Sequence, residues 1–202
     1  MALVSLAHNN SRMSSNHEII SVPDSRLRQT SRKVSIINQD TLDIIERMKK
    51  STLDWEANRK SEVGVALAAI QIGELERIII VRAKPEDKDN TEFEVFINPE
   101  ITKLEGDIIT EPEGCLSVPD IYANVPRHDI ARIKALDING NPVRSKSKGF
   151  LARVFQHEID HLRGKLFVDH VKDQEYYKIL DDGAFQPLQQ EQIDEASVLW
   201  RC

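Results

Sequence analysis

Gly149-Phe150-Leu151-Ala152-Arg153-Val154-Phe155-Gln156-His157-Glu158-Ile159-Asp160-His161-Leu162-Arg163-Gly164 is the stretch around which the rest of the chain is organised. Leu151, Val154, Phe155, Ile159 and Leu162 recur at helical spacing, so a helix from Phe150 to Arg163 has one apolar face. Gly149 opens it, and Gly164 can close it as a left-handed cap. Inside it lies His157-Glu158-Ile159-Asp160-His161, an H-E-x-x-H motif. On a helix, positions i and i+4 share a face, so the two imidazoles can grip one metal ion. Glu158 stands beside them, within reach of a water on that ion. The bland alternative is a pair of solvent-facing histidines on a charged helix. The apolar face argues against it, because it buries the segment, and buried neutral histidines need a metal or a hydrogen-bond partner.

Outward from this helix the chain alternates strands and helices. Asp40 can cap a helix starting at Thr41, whose buried face carries Leu42, Ile45, Met48 and Trp55 and whose solvated part holds Lys49, Lys50, Glu56 and Arg59. Arg77 to Ala83 is a short β-branched run, a buried strand. Phe93 to Ile97 alternates and stops at Asn98-Pro99. Ile130 to Ile138 alternates, Asn139-Gly140 supplies a hairpin turn, and Pro142-Val143 begins the return strand. Gly64 to Gln71 is rich in small residues and allows close backbone approach, though plain helix or loop packing explains it as well. The expected fold class is α+β, with antiparallel strands packed around a central metal-binding helix.

Composition bounds the function. Of 202 residues, 40% are hydrophobic and 30% charged, an ordinary globular balance for one domain with its own core. Cys115 and Cys202 are the only cysteines, too few for a disulfide framework. No apolar run approaches the roughly 18–20 residues of a membrane span, so no membrane partner is expected. The net charge of −6 speaks against direct nucleic-acid binding through a basic surface. Residues 1–17 hold Arg12 and no acid; they suit neither a secretory signal nor an arginine-rich transit peptide, and the expectation is a disordered leader, or a start upstream of the true one at Met13. From Lys165 to the end, eight acids face four bases, and Gly183 and Pro187 break any continuous helix, so a loose or shortly docked acidic tail is expected.

A catalytic divalent site needs a third protein ligand. His170 is the one histidine after His161, and its spacing is not that of the zincin proteases, whose sixth position after the second histidine is here Phe167. The other candidate is Cys115, in Glu113-Gly114-Cys115-Leu116-Ser117, although a lone cysteine is more often a small buried hydrophobe.

Three segments in order, Gly64 to Gln71, Glu113 to Ser117 and Gln156 to His161, resemble those of the peptide deformylases, G-x-G-L-A-A-x-Q, E-G-C-L-S and Q-H-E-x-D-H. The likeness runs from about Ile19 to about Val171 and includes Leu27-Arg28 and Gly164-Lys165-Leu166-Phe167. The intact second motif is that of the fully active bacterial and organellar type. The resemblance implies removal of the formyl group from N-formylmethionyl nascent peptides, with release of formate. It implies Cys115, His157 and His161 as metal ligands and an attacking water on the metal, with Glu158 as general base and then acid. It implies Gln71, through its side-chain amide, and Leu116, through its backbone N–H, as oxyanion donors. Fe2+ is the expected ion, one per chain, and the same ligands suit Zn2+, Ni2+ or Co2+.

The expected substrate-binding residues are Val65, Ala66, Leu67, Glu113, Gly114, Phe150, Arg153 and Val154. Phe150 and Val154 would wall the methionine pocket with Arg153 at its rim, and Val65 and Leu67 would flank the peptide; core packing is the competing explanation for these four apolar positions. The implied setting is the cytoplasm, with transient ribosome contact; organellar import through residues 1–17 is the alternative. The expected organisation is a leader over 1–17, a deformylase-like catalytic domain over 18–172 and an acidic tail over 173–202. One departure stands out: Ala66 replaces the second glycine of the first motif. Its methyl group could crowd the pocket or forbid a positive φ, so a deformylase-like protein with weak turnover is the alternative reading. A metalloprotease and a closed structural metal domain are further rivals; the ligand spacing opposes the first, and Glu158 and Gln71 oppose the second.

Overall fold

The computed structural model describes residues 19–59, 62–87, 89–172, 175–180 and 182–200. The leader expected over 1–17 lies outside them. Among the described residues an antiparallel sheet of seven strands carries three α-helices, in the order α1 (Gln39–Ala57), β1 (Ala66–Ala68), β2 (Ile78–Arg82), β3 (Phe93–Cys115), β4 (Val118–Leu136), β5 (Pro142–Lys148), α2 (Phe150–His161), β6 (Tyr176–Ile179), β7 (Phe185–Pro187) and α3 (Gln190–Trp200). The strands pair β1-β2-β3-β4-β6-β7, and β5 also pairs with β4. This is the α+β arrangement expected from the sequence, with α2 packed against the sheet. No described helix is long and apolar enough to cross a membrane.

Period-2 alternation divides the core between the two faces of the sheet. Ala66, Ala68, Ile79, Val81 and Phe96 turn toward Val154, Phe155 and Ile159 of α2. Leu67, Ile78, Ile80, Val95 and Ile97 turn toward Ile45 and Met48 of α1. The register Ala68↔Ile79↔Phe96 and Leu67↔Ile80↔Val95 keeps each set in phase. Burying a residue such as Ile80 contributes about 1.5–3 kcal/mol. The phase also fixes which side chains of β1 can see α2.

Several local expectations are corrected. Helix α1 starts two residues earlier than predicted, because Asn38, not Asp40, caps it: Asn38 is extended, its side chain accepts from the Thr41 N–H at 3.1 Å, and the Thr41 hydroxyl accepts from the Asn38 N–H. Glu56 is buried rather than solvated, because the buried Arg82 guanidinium and the Gly64 N–H both bind its carboxylate. The strand at Phe93 does not stop at Asn98-Pro99. Asn98 takes φ +54°, its side chain bridges the Val34 N–H and C=O at 2.9 Å, and the strand continues past the bulge to Cys115. Helix α2 ends at His161, with Leu162 as cap. Gly164, at φ +69°, lies so close to the Arg28 carbonyl that a Cβ would meet its oxygen at 2.2 Å.

Residues past the predicted catalytic core are woven into it. β6 adds to the sheet through Tyr122↔Tyr177 and Ala123↔Tyr176. Ile193 and Trp200 of α3 are buried with Leu27, Phe167 and Tyr176, and the Arg28 guanidinium caps the Trp200 carbonyl.

Candidate metal centre

Strands β3 and β4 form a long hairpin whose two-residue turn, Leu116-Ser117, follows Cys115. The backbone passes close to β4 here: a Cβ on Gly114 would lie 2.4 Å from the Tyr122 ring, so this position requires glycine. Helix α2 approaches from the other side with His157 and His161 one turn apart. The three sequence segments thereby converge. Cys115 Sγ lies 3.3 Å from His161 Nε2, which lies 3.2 Å from His157 Nε2. All three donor atoms fall within 4.8 Å of one another. A tetrahedral ion with bonds of about 2.0–2.3 Å needs donors spaced by roughly 3.3–3.6 Å, so the thiolate and two imidazoles fit one divalent ion. His170 is not in this group; its Nε2 stands 2.9 Å from Asp160.

Behind His157 lies a buried network of charges. The His157 Nδ1–H donates to Glu113 Oε2 at 3.0 Å, which turns Nε2 toward the other donors. Arg127 donates to both Glu113 oxygens at 2.9 and 3.1 Å and to Asp160 at 2.5 Å. Arg153 donates to Glu113 at 2.8 Å and to the Val125 and Ile109 carbonyls. Burial would raise the Glu113 carboxyl, but bonds and charges from His157 and Arg127 outweigh it and hold the group well below the usual carboxylate range. Asp160 is likewise lowered to about 2, with His170 and Arg127 outweighing its burial.

In front of the donors, Glu158 differs. It is 5% exposed, and its Oε2 is buried with no protein partner. Burial raises its carboxyl to about 7, a value suited to exchanging a proton at neutral pH. Gln71, 1% exposed, is held with its Oε1 accepting from the Ala68 N–H at 2.8 Å. That leaves its Nε2 3.1 Å from the Ser117 hydroxyl and 3.6 Å from Cys115 Sγ.

A cavity of about 370 Å³ opens onto these groups. Its lining includes Cys115, His157, Glu158, Gln71, Leu116 and Gly114, whereas His161 is fully buried and does not line it. Val65, Ala66, Val154 and the half-exposed Phe150 line it too. One expectation is corrected. Leu67 does not flank the cavity: one step along β1 from Ala66, it points to the opposite face and packs under α1. Arg153 and Glu113 also line the cavity, and both are buried: Arg153 donates to Glu113, and Glu113 holds His157.

Residues 16–176 match the family model of polypeptide deformylases. The chain belongs to the polypeptide deformylase family. It is 40% identical over 167 residues to the peptide deformylase of Thermomicrobium roseum, covering 81% of this chain and 90% of that one. It is 41% identical over 153 residues to that of Pseudomonas aeruginosa, covering 76% and 85%. Among solved structures it resembles a peptide deformylase of Synechococcus elongatus in complex with actinonin, with a TM-score of 0.72, 32% identity and coverage of 89% and 84%. A peptide deformylase of Legionella pneumophila gives a TM-score of 0.69, 33% identity and coverage of 91% and 92%. The chain is thus a metal-dependent hydrolase that acts on formylated peptide N-termini.

In this deformylase Ala66 lies in a regular strand, paired with Val81, and is absent from the non-glycine residues of positive φ. The backbone strain that the motif departure suggests does not arise, and weak turnover is not favoured. Sequence reading missed Arg127 and Asp160. Arg127 falls in the same odd-numbered phase of β4 as the buried Ala123, Val125, Ala131 and Ile133, which is a usable signal. Arg153 precedes His157 by one helical turn, so it shares the ligand stripe rather than the solvated one.

Proposed function

We propose that Cys115, His157 and His161 hold one divalent ion, and that Glu158 carries the proton in removal of the formyl group from N-formylmethionyl peptides. When bound, the ion supplies Lewis acidity that brings the pKa of a coordinated water toward neutrality. Glu158 accepts the proton of the attacking water and passes it to the leaving amine as the C–N bond breaks. The Gln71 Nε2–H and the Leu116 N–H donate to the oxygen on which negative charge develops; each such donor contributes about 2.7–4 kcal/mol of barrier lowering. Val65, Ala66, Phe150 and Val154 receive the methionine side chain, and Gly114 lets the peptide backbone approach. Glu113 acts as a positioning residue for His157, with Arg127 and Arg153 fixing Glu113.

The observation that carries this reading is the unpartnered, buried Oε2 of Glu158 beside three converging metal donors. Ferrous iron is the proposed ion; zinc, nickel and cobalt suit the same donors. A ferrous ion beside a thiolate calls for a reducing compartment, which supports a cytoplasmic setting. Helix α3 carries Glu191, Asp194 and Glu195 and no base, so it is repelled by nucleic-acid phosphates. Transient ribosome contact is therefore proposed to use another surface.

The test is formate release. Protein prepared without oxygen and loaded with ferrous iron or nickel should release formate from a formyl-Met tripeptide and leave the acetyl-Met tripeptide intact. One bound ion per chain with no formate released would overturn the proposal.

A further inference from the structure

The cavity does not end at the methionine pocket. Its lining continues past Ile121 and Tyr122 of β4 to Ile179, the last residue of β6. That residue belongs to the C-terminal segment, which the motifs do not reach. The hairpin carrying it is built onto the site. β6 pairs with β4 at Tyr122↔Tyr177, β7 returns at Ile179↔Phe185, and the Phe185 ring meets Tyr122 edge-on at 5.2 Å. Ile179 is half-buried, so its side chain keeps free surface on the cavity side.

The polar groups near this outer part are already engaged. Tyr122 donates its hydroxyl to Glu62 at 2.5 Å, and Arg59 pairs with both Glu62 and Asp120 at 3.0 and 2.7 Å. What remains for a ligand is apolar: Val63, Ile121, the Tyr122 ring and Ile179. A formylmethionine whose formyl carbon lies at the Cys115–Glu158 end occupies the inner part of the cavity. The residues that follow it in a peptide then lie along this outer wall.

We infer that Ile179 is a specificity-determining residue, which favours an apolar side chain immediately downstream of the formylmethionine. This rests on the deformylase reading of the same site. Losing most of a half-buried isoleucine wall corresponds to a change of about three- to tenfold in binding.

The experiment compares formyl-Met-Leu-Ser and formyl-Met-Ala-Ser peptides on the metal-loaded full chain, for the parent, Ile179→Ala and Ile179→Met. The parent should show the higher kcat/KM on the leucine peptide. Ile179→Ala should shrink that preference about three- to tenfold, through KM with kcat held, and Ile179→Met should restore it. An Ile179→Ala preference equal to the parent's, or equal losses on both peptides in both variants, would overturn the inference, since a purely structural role lowers both substrates together. A parent that cleaves neither peptide would instead sink the deformylase reading.

Discussion

Two glutamates stand beside the same pair of histidines and live in opposite surroundings. Behind His157, Glu113 is saturated: two guanidinium groups and an imidazole N–H use its oxygens, and it stays ionised despite burial. In front, Glu158 has an oxygen with no partner, and burial lifts its carboxyl to about 7. A buried carboxylate with every lone pair occupied is a fixed strut. A buried carboxyl with a free oxygen and a pKa near neutrality is a proton carrier. The difference supports the two proposed roles independently of the sequence motifs.

Breaking each side should give different losses. Glu158→Ala is expected to lower kcat by about 10²–10⁴-fold while the ion stays bound, measured as formate release alongside metal content. Glu113→Gln removes the charge facing Arg127 and Arg153. It should cost about 3–5 kcal/mol of stability in urea unfolding and weaken metal binding about 10–100-fold in a chelator competition.

The outer part of the network can be probed by pH. Asp160 is held at about 2, below its ordinary 3.8, so its ionic contribution is present above 3.8 and is lost as pH falls through 2. The stability gap between the parent and Asp160→Asn in urea should therefore be constant near neutrality and narrow as the solution is acidified across that window. A gap that widens on acidification would mean that Asp160 is not ionised in the fold. The smallest effect is expected at β1. Ala66→Gly should cost about 0.5–1 kcal/mol of stability through backbone entropy and leave kcat/KM within about twofold. A gain of tenfold or more would show that the alanine methyl group does obstruct the pocket.

The sequence made the strut and the carrier unequally legible. His157, Glu158 and His161 sit at helical spacing on a strongly amphipathic segment, and Cys115 comes with a glycine whose absence of Cβ the Tyr122 ring demands. Those are local signals. The Glu113 network is not local: Arg127 of β4 bridges Glu113 of β3 and Asp160 of α2, and only tertiary packing brings the three together. Glu56 is a charged residue that a sequence reading assigns to solvent unless a buried partner is known, and Arg82 is that partner. Leu67 fails for a simpler reason: one step along a strand reverses the face. The continuation of β3 past Asn98 escaped because an Asn-Pro pair ordinarily marks a strand's end, whereas here the Asn98 side chain ties the bulge to Val34. The acidic tail's docking rests on Ile193, Ala196 and Trp200, an i, i+3, i+7 stripe too narrow to announce a buried face.

The most direct test of the division between strut and carrier is formate released per bound ion, measured for the parent, Glu158→Ala and Glu113→Gln after anaerobic loading. If Glu158 carries the proton and Glu113 holds His157, Glu158→Ala keeps its ion and loses turnover per ion, while Glu113→Gln loses ion and keeps most of its turnover per ion. A fully loaded Glu158→Ala that releases formate at the parent's rate would contradict the mechanism.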